Sequence, residues 1–196
     1  VDEIKFLRDR YNVKDFMFAD EEFIINKQRA LDLCAALKDL KITFSTSVRG
    51  DSISEDVAAA LREAGCYRVY IGVENIDQSI SQRMNKRLSA DAVRAGLKIL
   101  EKYHIQSYAL FMMGYYGETE ESIKTNVDFA KKNGVVYIAS FYTIFPGSKD
   151  FDNYKNKISD WSDYFERLAM TNFTVRPVIN VTAMSDVKLV YFRNKA

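Results

Sequence analysis

Apolar positions recur along this chain in two alternating rhythms. Five short stretches are dense in β-branched and aromatic side chains: residues 15–19, 42–48, 67–73, 107–113 and 136–145. Each is nearly continuous, the pattern of a strand buried on both faces. Between them the apolar positions fall three and four apart. Ala30, Leu33, Cys34 and Leu37 share one face, and Val57, Leu61 and Ala64 another. Val93, Leu97 and Leu100 form a third, and Ile123, Val127 and Ala130 a fourth. That spacing predicts amphipathic helices. Ser54, Ser89 and Thr119 stand where N-caps belong, and Gly65 and Gly134 where helices end. A helix over residues 2–10 precedes the first strand, and an aromatic-rich one over about 160–170 follows the last.

Strands separated by helices imply right-handed crossovers and a mostly parallel sheet, so the fold class is α/β. No linker divides the chain. Residues 1–159 are expected to form the repeating core, and 160–196 a C-terminal helix and extension with mixed signals around Pro177.

In parallel α/β folds ligands bind at the carboxyl ends of the strands, where loops and helix N-termini collect polar groups. After the first strand come Asp20, Glu21 and Glu22, and after the second Ser47, Arg49 and Asp51. Glu74 and Asn75 close the third, with Lys86 twelve positions beyond Glu74. Met113-Gly114-Tyr115-Tyr116-Gly117-Glu118-Thr119 closes the fourth, and Phe145-Pro146-Gly147 the fifth. Carboxylates, cations and bare backbone on one rim suit a small zwitterionic or nucleoside-like ligand. Each piece also has a plain structural reading. The acidic run reads equally as a solvated loop, Lys86 alone as a surface lysine, and Tyr115 and Tyr116 as a cover for the sheet end.

Composition narrows the choice. The 196 residues carry 28 Lys+Arg against 27 Asp+Glu, which leaves no global field to attract nucleic acid or anionic lipid. The apolar run over 108–113 is far below the ~18 residues of a membrane span, so none is expected. No secretory signal is visible in these residues, and the chain reads as a piece of a longer product. Cys34 and Cys66 are 32 residues apart without metal-ligand spacing, which favours a reduced, cytoplasmic setting. His104, the single histidine, sits near a helix end and reads as structural or exposed. A zinc site and a Ser-His-Asp triad are therefore poorly supported, and no Walker A or nucleophile-elbow motif occurs.

Several segments in order carry a family resemblance. Asp2-Glu3-Ile4, Phe16-Met17-Phe18-Ala19-Asp20, Ser47-Val48-Arg49-Gly50-Asp51 and Ala64-Gly65-Cys66 are followed by Ile71-Gly72-Val73-Glu74-Asn75. Met84-Asn85-Lys86, the segment from Met113 to Thr119, and Phe145-Pro146-Gly147-Ser148 complete the series. Over roughly residues 2–150 the chain resembles the radical S-adenosylmethionine (radical SAM) superfamily, and most the branch often fused to an upstream cobalamin-binding domain. The resemblance implies a partial (β/α)6 TIM-like barrel with its first strand missing. It implies an enzyme using S-adenosylmethionine, a [4Fe–4S] cluster and, through the upstream domain, cobalamin, for radical chemistry such as methyl transfer or rearrangement on a small-molecule substrate. By family position Asp20, Glu21 and Glu22 contact the methionyl amino group, Glu74 the ribose, and Lys86 the methionyl carboxylate. Met113, Gly114 and Glu118 lie near adenine, and Arg49 points to the substrate.

The departures are as informative. The CxxxCxxC loop that holds the cluster is absent from these residues, which implies truncation and an inactive fragment. Tyr116 stands where the family usually has proline in Gly-x-Pro-Gly-Glu-Thr, and Glu22-Phe23 where related sequences often have Asn-Phe. The alternative is a cluster-free α/β scaffold with a binding or assembly role. A missing first strand would leave residues 15–19 as an open edge, so self-association is expected, or cover by a segment such as residues 173–181.

Overall fold

The computed structural model describes residues 1–86, 88–170 and 176–195. Helix α1 (Asp2–Tyr11) ends where Asn12 turns into the left-handed region. Strands β1 (Asp15–Met17), β2 (Thr43–Arg49), β3 (Cys66–Glu74), β4 (Gln106–Met113) and β5 (Val136–Phe141) alternate with α2 (Lys27–Lys38), α3 (Glu55–Glu63), α4 (Gln78–Arg83), α5 (Ala90–Lys102) and α6 (Glu120–Lys132). Helices α7 (Lys149–Tyr154), α8 (Trp161–Ala169) and α9 (Asp186–Lys195) follow. The five parallel strands make one sheet in chain order, β1-β2-β3-β4-β5. This is the α/β class that the two rhythms predict.

The chain separates into two compact units. The first holds Val1–Val73, Leu88–Leu110 and Ala130–Val136, and the second Glu74–Arg87, Phe111–Phe129 and Tyr137–Ala196. In the first, β1 pairs with β2 from Asp15↔Thr43, and β2 with β3 as far as Arg49↔Gly72. Val69, Ile71 and Val73 of β3 are buried, as are Val57 and Leu61 of α3 and Leu97 and Leu100 of α5. Helix α3 packs against both α2 and α5. In the second unit, Leu189 of α9 joins Met113, Ile123 and Phe141 in one buried cluster. Ile144, Tyr164, Val178 and Ile179 form another.

The structure differs from the sequence reading in places, each with a local cause. Strand β5 stops at Phe141 rather than continuing to 145. Tyr142 N–H then bonds the Met113 carbonyl at 2.7 Å, and Ile144 leaves to bury beside Tyr164, whose hydroxyl donates to its carbonyl at 2.8 Å. Ser89 caps α5 through the Ala92 N–H, but the Ser54 hydroxyl at the head of α3 donates to Asp56 instead of accepting from the backbone. Helix α4 is too short and polar to show a period, and it exists because Asp77 accepts from the N–H groups of Ser79 and Ile80. Of the segment 173–181, residues 173–175 lie outside the described residues, and Val178 and Ile179 pack beside Tyr164. Among the described residues, no helix is long and apolar enough to cross a membrane.

Candidate functional site

At the carboxyl end of β3 the backbone changes course. Glu74 adopts φ 63, a left-handed conformation that a non-glycine residue takes only when its surroundings hold it there. Its carboxylate accepts a hydrogen bond from Lys86 Nζ at 2.5 Å, and each side chain is about a quarter exposed, at 23% and 24%. The twelve-residue spacing has a simple origin. Helix α4 carries the chain away, and the turn after it returns through Asn85 at φ 55. Lys86 N–H then bonds the Ser81 carbonyl at 2.9 Å, while the buried Ser81 hydroxyl donates to the Lys86 carbonyl at 2.5 Å. Lys86 is thus anchored by its backbone and leaves its ammonium to pair. An incoming carboxylate would compete for Lys86 and an incoming diol for Glu74.

The turn after β4 is built around Glu118, a carboxylate 3% exposed. One oxygen accepts from Gly114 N–H at 2.5 Å and the other from Asn75 Nδ2 at 2.9 Å. Burial pushes the Glu118 carboxyl up to about 7, against the opposing pull of these two donors. Gly114 sits at φ 90, a conformation that strains any L side chain, and it is buried, with Leu189 Cδ1 3.8 Å from where a Cβ would lie. Asn75 Oδ1 accepts from Asp77 N–H at 2.9 Å, and Asn126 Oδ1 of α6 accepts from Ile76 N–H at 2.8 Å. Glu74, Lys86, Gly114 and Glu118 are therefore brought together through Asn75, with Met113 buried at the end of β4.

Tyr115 and Tyr116 stack at 4.3 Å, and Tyr142 meets Tyr115 edge-on. The hydroxyls of Tyr116 and Tyr142 both donate to Asp150 at the start of α7. Burial, then the Asp150 carboxylate, push the Tyr142 phenol upward. Asn126, Tyr142 and Asp150 escape the sequence reading. Asn126 interrupts the apolar stripe of α6 beside Val127, a polar residue on a helix that otherwise buries its face, and that interruption was the available signal.

The other sequence candidates lie in the first unit. Asp20 pairs with Arg29 at 3.7 Å, Glu21 is exposed and Glu22 half-buried. The next residue, Phe23, is fully buried and bonds the Ser47 carbonyl through its N–H at 2.9 Å, which fixes this loop along the end of β2. Arg49 makes two hydrogen bonds to Asp51, at 3.0 and 2.9 Å, which raise its pKa above the ordinary guanidinium value. Cys34 and Cys66 are buried, and burial pushes their thiols up to about 11 and about 12. Among the described residues no three His, Cys, Asp or Glu side chains are grouped to hold a metal ion. His104 is exposed, just past the end of α5.

Comparison with known proteins gives a consistent picture. The family model described as the Radical SAM superfamily matches residues 1–130. An uncharacterised methyltransferase of Pyrococcus horikoshii is 30% identical over 152 residues, covering 76% of this chain and 33% of that protein. An anaerobic magnesium-protoporphyrin IX monomethyl ester cyclase of Rubrivivax gelatinosus is 27% identical over 210 residues, covering 100% of this chain and 37% of that protein. The chain spans about a third of the length of these relatives. The structure of TsrM, a radical S-adenosylmethionine methyltransferase from Kitasatospora setae with cobalamin and a [4Fe–4S] cluster bound, matches with a TM-score of 0.67 at 18% identity, covering 74% of this chain and 31% of that one. That likeness shows the fold, a partial TIM-like barrel of α/β type.

Proposed function

Since the chain belongs to the radical SAM superfamily, whose similar members are enzymes, we propose that the rim of its second unit binds S-adenosylmethionine for a methyl transfer or related radical reaction on a small molecule. The observation that carries this reading is the Glu74–Lys86 pair at a left-handed strand end, linked through Asn75 and Glu118 to the Gly114 turn. The side chains suit the ligand. Lys86 matches the methionyl carboxylate, Glu74 the ribose hydroxyls, and the Met113-Gly114 turn backed by Glu118 a flat ring. When bound, S-adenosylmethionine supplies a sulfonium centre carrying a transferable methyl group. The part of this chain is to neutralise the amino-acid end, fix the ribose and keep the ring against the backbone.

A [4Fe–4S] cluster does not fit these residues. It needs three thiolates, and Cys34 and Cys66 are two buried thiols that burial keeps protonated. We place the cluster's ligands, and any cobalamin site, outside these 196 residues, so no step is assigned to either group here.

Titration with S-adenosylhomocysteine tests the reading. Lys86→Ala should weaken binding by ~1.5–3 kcal/mol, roughly 10- to 150-fold, the range for hydrogen bonds to charged groups. An unchanged dissociation constant removes Lys86 from the site, and no binding by the native chain overturns the reading. A second expected outcome concerns the sheet. Strand β1 is its edge, only three residues long, with Met17 64% exposed and Lys14 as the neighbouring cation. An open strand with apolar side chains is a template for pairing, so the chain should self-associate. Light scattering over a concentration series that shows only monomer, with fast amide exchange at 16–18, would refute this.

A further inference from the structure

Strand β3 must be held out of its extended path at Glu74, and the groups that do so come from downstream. A left-handed backbone is disfavoured for a non-glycine residue, because its Cβ crowds the following carbonyl oxygen. The ion pair with Lys86 ties down the Glu74 carboxylate but not the backbone torsions that set its conformation. The three residues after Glu74, however, are fastened one by one. Asn75 Nδ2 donates to Glu118 at 2.9 Å, and Asn75 Oδ1 accepts from Asp77 N–H at 2.9 Å. Ile76 N–H donates to Asn126 Oδ1 at 2.8 Å. Asn75, Glu118 and Asn126 are 2%, 3% and 1% exposed, so water is kept from the Asn75–Glu118 bond and partly from the bonds to the Ile76 and Asp77 N–H groups.

The residue types are demanding. Position 75 needs a donor toward a carboxylate and an acceptor for an N–H two residues on. Asparagine provides both, whereas aspartate would set two carboxylates against each other. Position 126 lies 50 residues from Ile76 in sequence and contributes its acceptor from a helix face that also buries Ser122, Ile123, Phe129 and Ala130. Its oxygen answers the part-buried backbone N–H of Ile76, which lies beyond the end of β3.

We infer that Asn126, acting with Asn75, is a positioning residue that holds Glu74 in its left-handed conformation and so aims the Glu74 carboxylate at its ligand. The inference rests on the reading that Glu74 binds the ribose of S-adenosylmethionine. Asn126 itself touches neither ligand nor Lys86; it works through the backbone of Ile76.

A double-mutant cycle on the full chain, read by S-adenosylhomocysteine affinity, tests this. Asn126→Leu keeps the branched shape and removes the acceptor, while Glu74→Gln removes the charge it is said to aim. Asn126→Leu should weaken binding about tenfold in the native background and less than about twofold in the Glu74→Gln background, because coupled residues are non-additive. Amide exchange at Ile76 should accelerate in Asn126→Leu without ligand. If Asn126→Leu does not fold, Asn126→Ser, which shortens the reach, is put through the same cycle. Equal losses in both backgrounds mean a merely structural role and overturn the inference, as does unchanged affinity on native Glu74. If Glu74→Gln alone leaves affinity unchanged, it is the ribose reading that fails, and accelerated exchange at Ile76 still reports whether Asn126 holds the strand end.

Discussion

Replacing Gly65 with alanine should destabilise the chain by about 3–5 kcal/mol, enough to abolish a cooperative melt in a marginally stable fold. Gly65 turns the end of α3 into β3 at φ 99, where an L side chain is strained. A Cβ there would lie 2.1 Å from the Ile42 carbonyl oxygen and 3.2 Å from its carbon. Both are backbone atoms at the head of β2, so neither can rotate away. The same glycine donates to Arg62 and accepts from Phe44 N–H at 3.1 Å, and Phe44 is paired with Cys66 at the start of the β2–β3 register. Relieving the clash therefore means giving up that register. Gly134→Ala is the control: its φ is 62 but nothing lies within 4 Å of the added carbon, so only the conformational cost of about 1 kcal/mol remains. Urea unfolding checks both, and equal midpoints for the two variants would refute the steric account.

The other large effect is expected at Glu118, as a pH dependence of stability. Burial raises this carboxyl from its ordinary 4.5 to about 7, so the folded chain takes up a proton that the unfolded chain does not between those values. Its contribution to stability is fully present below pH 4.5 and is lost as pH rises to 7, by about 3 kcal/mol. Carboxyls held low, such as Asp56 by Lys27 and Asp77 by Ser79, titrate below this window and do not obscure it. Glu118→Gln abolishes the proton uptake. Its amide also sets a donor against either Gly114 N–H or Asn75 Nδ2, both of which need an acceptor, at a cost of ~1–3 kcal/mol. The variant should be less stable than the native chain at pH 5, with the difference shrinking toward pH 8. Urea midpoints measured across that range decide the matter, and parallel pH profiles would show that Glu118 does not titrate there.

Much of this protein was legible in its sequence. The five strands, the helices α2, α3, α5 and α6 between them, and the cap at Ser89 follow from near-continuous apolar runs, from a period of 3.6 and from side chains that reach their own backbone within four residues. The parallel order follows from that alternation, because a helix between strands returns the chain to the same end of the sheet. The residues just past each strand, Glu74 and Gly114 among them, follow from asking where a parallel sheet gathers polar groups, while the choice of Lys86 and Glu118 came from the family resemblance. Tertiary structure decided the rest. The sequence shows an asparagine at 126 and a carboxylate at 118, but not that one meets a residue 50 positions away and the other a residue 43 positions away. It shows a strand-like Tyr-Thr-Ile-Phe run at 142–145, but not that Ile144 abandons the sheet for Tyr164, nor that α9 exists to seat Leu189 on Met113 and Phe141. Local propensity acts over a turn of helix, whereas burial and buried hydrogen bonds act wherever the folded chain brings groups together and excludes water.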